Sequence, residues 1–284
     1  MTHPRPEFGP ADHAELALLL EVAGTPKPGN VDRAHDFPDL RFEHFLAGAV
    51  GARPGLDAAA DPAGPGVGTA FERGVARMSR QEGGNTQFGC LLLLVPLVRT
   101  ASTGGLTRER VEAAVEDTTV EDARAFFAAF EHVDVAVDDP PEGLEPLDAR
   151  RGAAAGAAAA ERGLTLFDVL LRSAPHDCNA AELVRGAPRA FRAADRMLAD
   201  DGPAPDRVAR AFLRLLGDRP DTLVRTEHGD EVARDVRDRA AGCADLGDAR
   251  ALAADLHERG INPGTTADLT AAATFVALDG GLRV

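Results

Sequence analysis

Residues 25–33 read TPKPGNVDR, and Lys27 within them is the only lysine in 284 residues. Pro26 and Pro28 restrict the backbone on either side of it, and Gly29 permits a sharp turn. A rigid loop presenting an ammonium group suits a phosphate oxygen, because lysine is a compact point charge. Asp32 and Asp36 follow within reach and read as ligands for a divalent metal beside that phosphate. The plainer alternative is a turn at a helix end with solvated charges; the isolation of the lysine favours the ligand.

Three further polar segments carry residues that packing does not explain. In EGGNTQFG (82–89), Gly83 and Gly84 let backbone N–H groups approach a ligand, and Asn85 or Thr86 caps a following helix. A helix N-terminus of this kind suits an anion, and Glu82 reads as a metal ligand or base. In APHDCNAAE (174–182) and DTLVRTEHGDE (221–231), Asp177, Asn179 and Glu182 open a helix, and Arg225 is placed to clamp a phosphate through two parallel hydrogen bonds. His176 and His228 are general-acid candidates, each weighed against an ordinary packed or surface histidine. In GINPGTTADL (260–269), Asn262-Pro263-Gly264 forms a turn, and Asp268 is explained as the capping partner of Thr265. Walker, GxSxG, HExxH and GxGxxG fingerprints are missing from the sequence.

Helices must position these segments. Asp12 and Glu15 read as a capping pattern ahead of Leu16, Leu19 and Leu20; Phe71, Val75 and Met78 share one face. Thr119/Asp122, Thr165/Asp168 and Thr265/Asp268 mark further starts, and helical stretches recur over 179–200, 205–216, 228–241 and 248–259. Only VDVAV (133–137) alternates like a strand. Loops are expected at 24–39, 53–68, 138–147, 201–204 and 217–227. The apolar run FGCLLLLVPLV (88–98) has 11 residues, short of the ~20 a membrane span needs, and reads as a central buried helix. The expectation is an all-α fold over residues 1–284, one compact multi-helix domain.

Asp and Glu total 46 against 31 Lys and Arg, for a net charge of −15. Such a surface is the style of a salt-loving cytoplasm, where dense salt screens the self-repulsion. It disfavours nucleic acid, since no basic stripe interleaves with aromatics. The three cysteines, Cys90, Cys178 and Cys243, lie far apart and read as reduced thiols. The N-terminus MTHPRPEFGP lacks a signal-peptide pattern, so neither a membrane nor an export route is expected.

Taken together and in this order, TPKPGNVDR, GGNTQFG, DTLVR and NPGTTADLTA resemble the signatures of the triphosphoribosyl-dephospho-CoA synthase family. The likeness spans about residues 14–279 and implies an all-helical transferase that joins ATP to 3′-dephospho-CoA and releases adenine. By this resemblance, Lys27 and Arg33 would contact phosphate, with Gly84, Asn85, Thr86, Arg225, Asn262 and Gly264 binding the nucleotide. Asp32, Glu82 and Asp177 would be catalytic; Asp32, Asp36, Glu82 and Asp268 would hold Mg²⁺. The sequence departs from the family at one motif: NTHKG is NTQFG here, with Gln87 for histidine and Phe88 for lysine. That variant resembles an archaeal-looking branch. A related transferase or hydrolase with another acceptor, and a nucleotide-binding regulator without catalysis, are the alternatives.

Overall fold

A computed structural model describes residues 8–140 and 143–284. Fifteen α-helices follow one another: α1 (Pro10–Ala23), α2 (Phe42–Ala60), α3 (Val67–Met78), α4 (Phe88–Ser102), α5 (Arg108–Glu116), α6 (Val120–Ala128), α7 (Ala153–Glu161), α8 (Leu166–Ser173), α9 (Cys178–Leu183), α10 (Pro188–Ala199), α11 (Ala204–Asp218), α12 (Thr222–His228), α13 (Asp230–Gly242), α14 (Leu246–Glu258) and α15 (Gly264–Asp279). The described residues form no strand beyond two isolated bridges in the 32–40 loop, so the fold is all-α. None of these helices is long and apolar enough to cross a membrane.

The order of burial follows from side-chain type. α4 is apolar on every face, so it cannot sit at the surface; Leu91, Leu93, Leu94, Leu97 and Val98 are fully buried. It packs on α1, α2, α3 and α15. α15 is the second central helix, and its Thr270 and Thr274 are wholly buried. Their hydroxyls donate to the carbonyls of Thr266 and Thr270, each at 2.7 Å, so neither leaves an unmet polar group in the core. A second apolar cluster joins Phe212 and Leu216 of α11 to Val236 of α13 and Leu252 and Leu256 of α14.

Several sequence expectations shift here. α1 starts at Pro10, a favoured first-turn residue, and Asp12 accepts the Gly9 amide at 2.8 Å rather than opening the helix itself. The expected loop from 53 is helix as far as Ala60, despite Pro54. Close packing overrides the local signal: a Cβ on Gly55 would stand 2.5 Å from Gly74 of α3, so these glycines permit helix contact instead of marking a turn. Likewise the 217–227 stretch is mostly helical, with α12 inside it. VDVAV pairs with no strand among the described residues; Val135, Ala136 and Val137 in succession line a cavity.

Candidate functional site

The lysine that drew notice in the sequence is completely buried. Its Nζ donates to Glu21 Oε1 and to Asn30 Oδ1, the latter at 2.7 Å, and lies 5.7 Å from the centre of the Phe212 ring. Asp32 is equally enclosed. Its Oδ2 accepts the Lys27 amide at 3.0 Å and its Oδ1 accepts the amides of Ala34 and His35 at 2.7 and 3.1 Å. Asp32 is thus engaged within its own loop, while Lys27 is held between that loop and Glu21 of α1. Both side chains are closed to solvent, and neither lines the cavity described below. Asn30 carries the connection outward, donating from Nδ2 to Asn262 Oδ1 at 2.8 Å.

The neighbouring candidates lie outside. Arg33 and Glu82 are exposed, and Gly84, at φ +66°, is exposed too. Asp36 accepts the Phe42 amide at 2.7 Å and so caps α2. Asn85 accepts the Phe88 amide at 3.2 Å at the start of α4, as its position suggested. Gln87, in the place of the family's histidine, is buried and donates to the Phe45 carbonyl at 3.1 Å. Phe88 joins an aromatic cluster, 5.0 Å from Phe71 and 4.8 Å from Phe130 between ring centres, with Phe126 5.3 Å from Phe130.

A cavity of about 680 Å³ opens where these elements meet. One wall is apolar, formed by Phe88, Phe126, Phe130, Leu92, Val135 and Leu170. The other is polar and holds Glu21, Asn30, Asn85, Thr86, Asn179, Asn262, Gly264 and Asp268. Carboxylates dominate its charge: Glu21, Asp138, Asp139, Asp148, Asp177 and Asp268 line it, with Arg172 the only arginine among the described lining residues.

Asp268 is the focus of the polar wall. It was expected to cap α15 with Thr265, but that helix begins at Gly264, and Asp221 does the capping. Asp221 Oδ2 accepts the Thr266 amide and hydroxyl, both at 2.7 Å, while its Oδ1 caps α12 through Val224 at 3.2 Å. Asp268 is thus released to face the cavity, where it accepts from Asn179 Nδ2 at 2.8 Å and Cys90 Sγ at 3.3 Å. Its approach depends on Gly89, where a Cβ would stand 2.0 Å from Asp268 Oδ2. Burial raises the Asp268 carboxyl to about 7, helped by the like charges of Asp221 and Glu21 and opposed by its two hydrogen bonds. A carboxyl of that strength can both take and give a proton near neutrality. Burial also raises Glu21, which the Lys27 ammonium opposes. The same burial pushes the Cys90 thiol up, so it is a proton donor to Asp268 and not a nucleophile.

Asn179 Oδ1 is buried and has no hydrogen-bond partner among the described residues. Asp177 caps α9 by accepting the Ala180 amide at 2.6 Å, and burial raises its carboxyl. Arg225 does not line the cavity. It donates to the His176 carbonyl and, at 3.2 Å, to Asp138 Oδ2, and so anchors the rim. His228 lies beside Glu227, its Nε2 3.9 Å from that carboxylate. Among the described residues, no group of three or more His, Cys, Asp and Glu is arranged to hold a metal. Asp32, Asp36 and Glu82 do not converge with Asp268. Sequence reasoning missed Glu21, Asn30 and Cys90. The one legible signal was Glu21, an acid beside Leu20 and Val22 on an otherwise apolar turn six residues before Lys27.

Comparisons with known proteins agree with this architecture. No curated protein matches the sequence. The family model described as ATP:dephospho-CoA triphosphoribosyl transferase matches residues 8–282. A crystal structure from Archaeoglobus fulgidus, provisionally named a triphosphoribosyl-dephospho-CoA synthase, superposes with a TM-score of 0.70 and 30% identity. That match covers 86% of this chain and all of the other. This all-helical chain, matched by that model over nearly its whole length, belongs to the ATP:dephospho-CoA triphosphoribosyl transferase family.

Proposed function

We propose that the chain transfers the triphosphoribosyl unit of ATP to a hydroxyl of 3′-dephospho-CoA inside this cavity, with Asp268 as the acid–base group. The acceptor oxygen forms a bond to C1′ of the ATP ribose as the bond from C1′ to adenine breaks. The bonding pair leaves with adenine, which takes up a proton, and the acceptor hydroxyl gives its proton to the Asp268 carboxylate. The transition state carries positive charge on the ribose, as in glycoside transfer, and carboxylates on the wall stabilise it. Glu21 lines that wall, held in one orientation by Lys27. Asn179 fixes Asp268 through Nδ2.

The single observation that carries this reading is a half-buried carboxyl at about 7, hydrogen-bonded to Asn179 and Cys90 and lining a cavity of nucleotide size. Mg²⁺ would enter as a companion of the triphosphate rather than a resident of a protein cage, keeping several waters and taking one or two of the other lining carboxylates, Asp138, Asp139, Asp148 or Asp177, with phosphate oxygens. It would supply neutralisation of phosphate charge, which a wall this acidic does not. The surface charge of −15 supports operation in concentrated salt, and three free thiols suit a reducing cytoplasm. The test is adenine release from ATP and Mg²⁺ with 3′-dephospho-CoA at high salt. Stimulation by the acceptor supports the reading, and folded protein that releases none overturns it.

A second reading rests on the aromatic wall. Phe88 replaces the cation expected from the resemblance, so the same transfer to a less anionic acceptor would find an apolar surface there. Adenine release stimulated by a small-molecule fraction but not by dephospho-CoA would favour it.

A further inference from the structure

Where α10 and α11 cross, four arginines gather around a shallow groove of about 40 Å³ that shares no lining residue with the large cavity. Arg189 forms its base and is only 5% exposed. Its Nε donates to Asp218 Oδ2 and its Nη2 to the Leu215 carbonyl, both at 3.1 Å, which locks the guanidinium in place. The remaining N–H groups of its five have no protein partner among the described residues.

Arg192, Arg196 and Arg214 stand around it, all exposed and none in an ion pair among the described residues. Arg192 and Arg196 are one helical turn apart, a spacing at which like charges repel. The only acidic group lining the groove is Asp218, already engaged by Arg189. A net positive groove is thus held open on a molecule whose net charge is −15. The buried, oriented base distinguishes it from an ordinary solvated arginine face. Guanidinium forks match the oxygens of a phosphate, and the groove is far smaller than the 680 Å³ cavity.

We propose that this groove binds a single phosphoryl group, free or at the end of a small metabolite, at a site separate from the transfer cavity. The full-length chain is titrated with inorganic phosphate, and separately with methyl phosphate, by calorimetry and ³¹P NMR at constant ionic strength in chloride. One saturable site is expected. The Arg192→Ala/Arg214→Ala double variant, altered only at exposed positions, should bind at least 10-fold more weakly, with the lysine pair Arg192→Lys/Arg214→Lys in between. Tighter binding of inorganic phosphate identifies the free ion as the occupant, and tighter binding of methyl phosphate identifies a phosphate monoester. Absence of saturable binding to the wild type overturns the proposal, as does equal affinity in the alanine variant.

Discussion

Two polar clusters, one around Lys27 and one around Asp268, differ in how their groups are engaged. Around Lys27, the ammonium, the Asp32 carboxylate and the Asn30 amide are all engaged within the loop or against Glu21 and Asn262. Around Asp268, one amide oxygen has no partner and the carboxyl is held near 7. The first cluster resembles a keystone, the second a tool. Charge and unusual residue type mark both, but only the second lines the cavity and holds a carboxyl whose strength is shifted toward neutrality.

The comparison breaks most visibly at Lys27. Lys27→Met leaves Glu21 buried without its partner, so a loss of about 3–5 kcal/mol in folding stability is expected by denaturant titration. A small loss accompanied by weakened ATP binding would instead return Lys27 to the substrate. The second effect has the opposite sign. Because burial raises the Asp268 carboxyl from its ordinary 3.8 to about 7, the folded state holds this proton more tightly than the unfolded chain does. Ionising it therefore costs stability as pH rises from about 4 to 7. Asp268→Asn should gain up to about 4 kcal/mol over wild type at pH 8 and nothing at pH 3, while losing activity by on the order of 100-fold or more. Thermal melts at the two pH values check the stability, and adenine release checks the activity. Asn179→Leu should lower turnover about 10-fold or more by freeing Asp268, with the pH midpoint of the rate moving upward as the stabilising hydrogen bond is lost. An unchanged midpoint would make Asn179 a packing residue only. The smallest effect is expected at Glu82→Ala and Arg33→Ala, both exposed: within about 0.5 kcal/mol in stability and little change in rate.

The all-helical fold was legible because the apolar spacing of α4, α11 and α15 and the Thr–Asp capping pairs at 119/122 and 165/168 act locally. What misled were signals with two physical meanings. The glycines of α2 read as a loop but permit close helix contact. Thr265 and Asp268 have the spacing of a capping box, yet Asp221, 47 positions before Asp268, takes the cap and frees the aspartate for the cavity. Asn85, Thr86, Asp177, Asn262, Gly264 and Asp268 line the cavity because turns and helix starts bring them there. Lys27 and Asp32 carried the most specific motif and proved internal, since a chain rarely buries charge without enclosing its partner too. Glu21 and Cys90 lay on helices that read as core and were visible only once α1, α4 and α15 were packed together.

The most direct test is a ¹³C carboxyl titration of aspartate-labelled protein, with the Asp268 resonance identified by its disappearance in Asp268→Asn. A midpoint near 7 is expected. A midpoint near 4 would show that Asp268 is ionised like any surface carboxylate and would remove it as the acid–base group of the transfer.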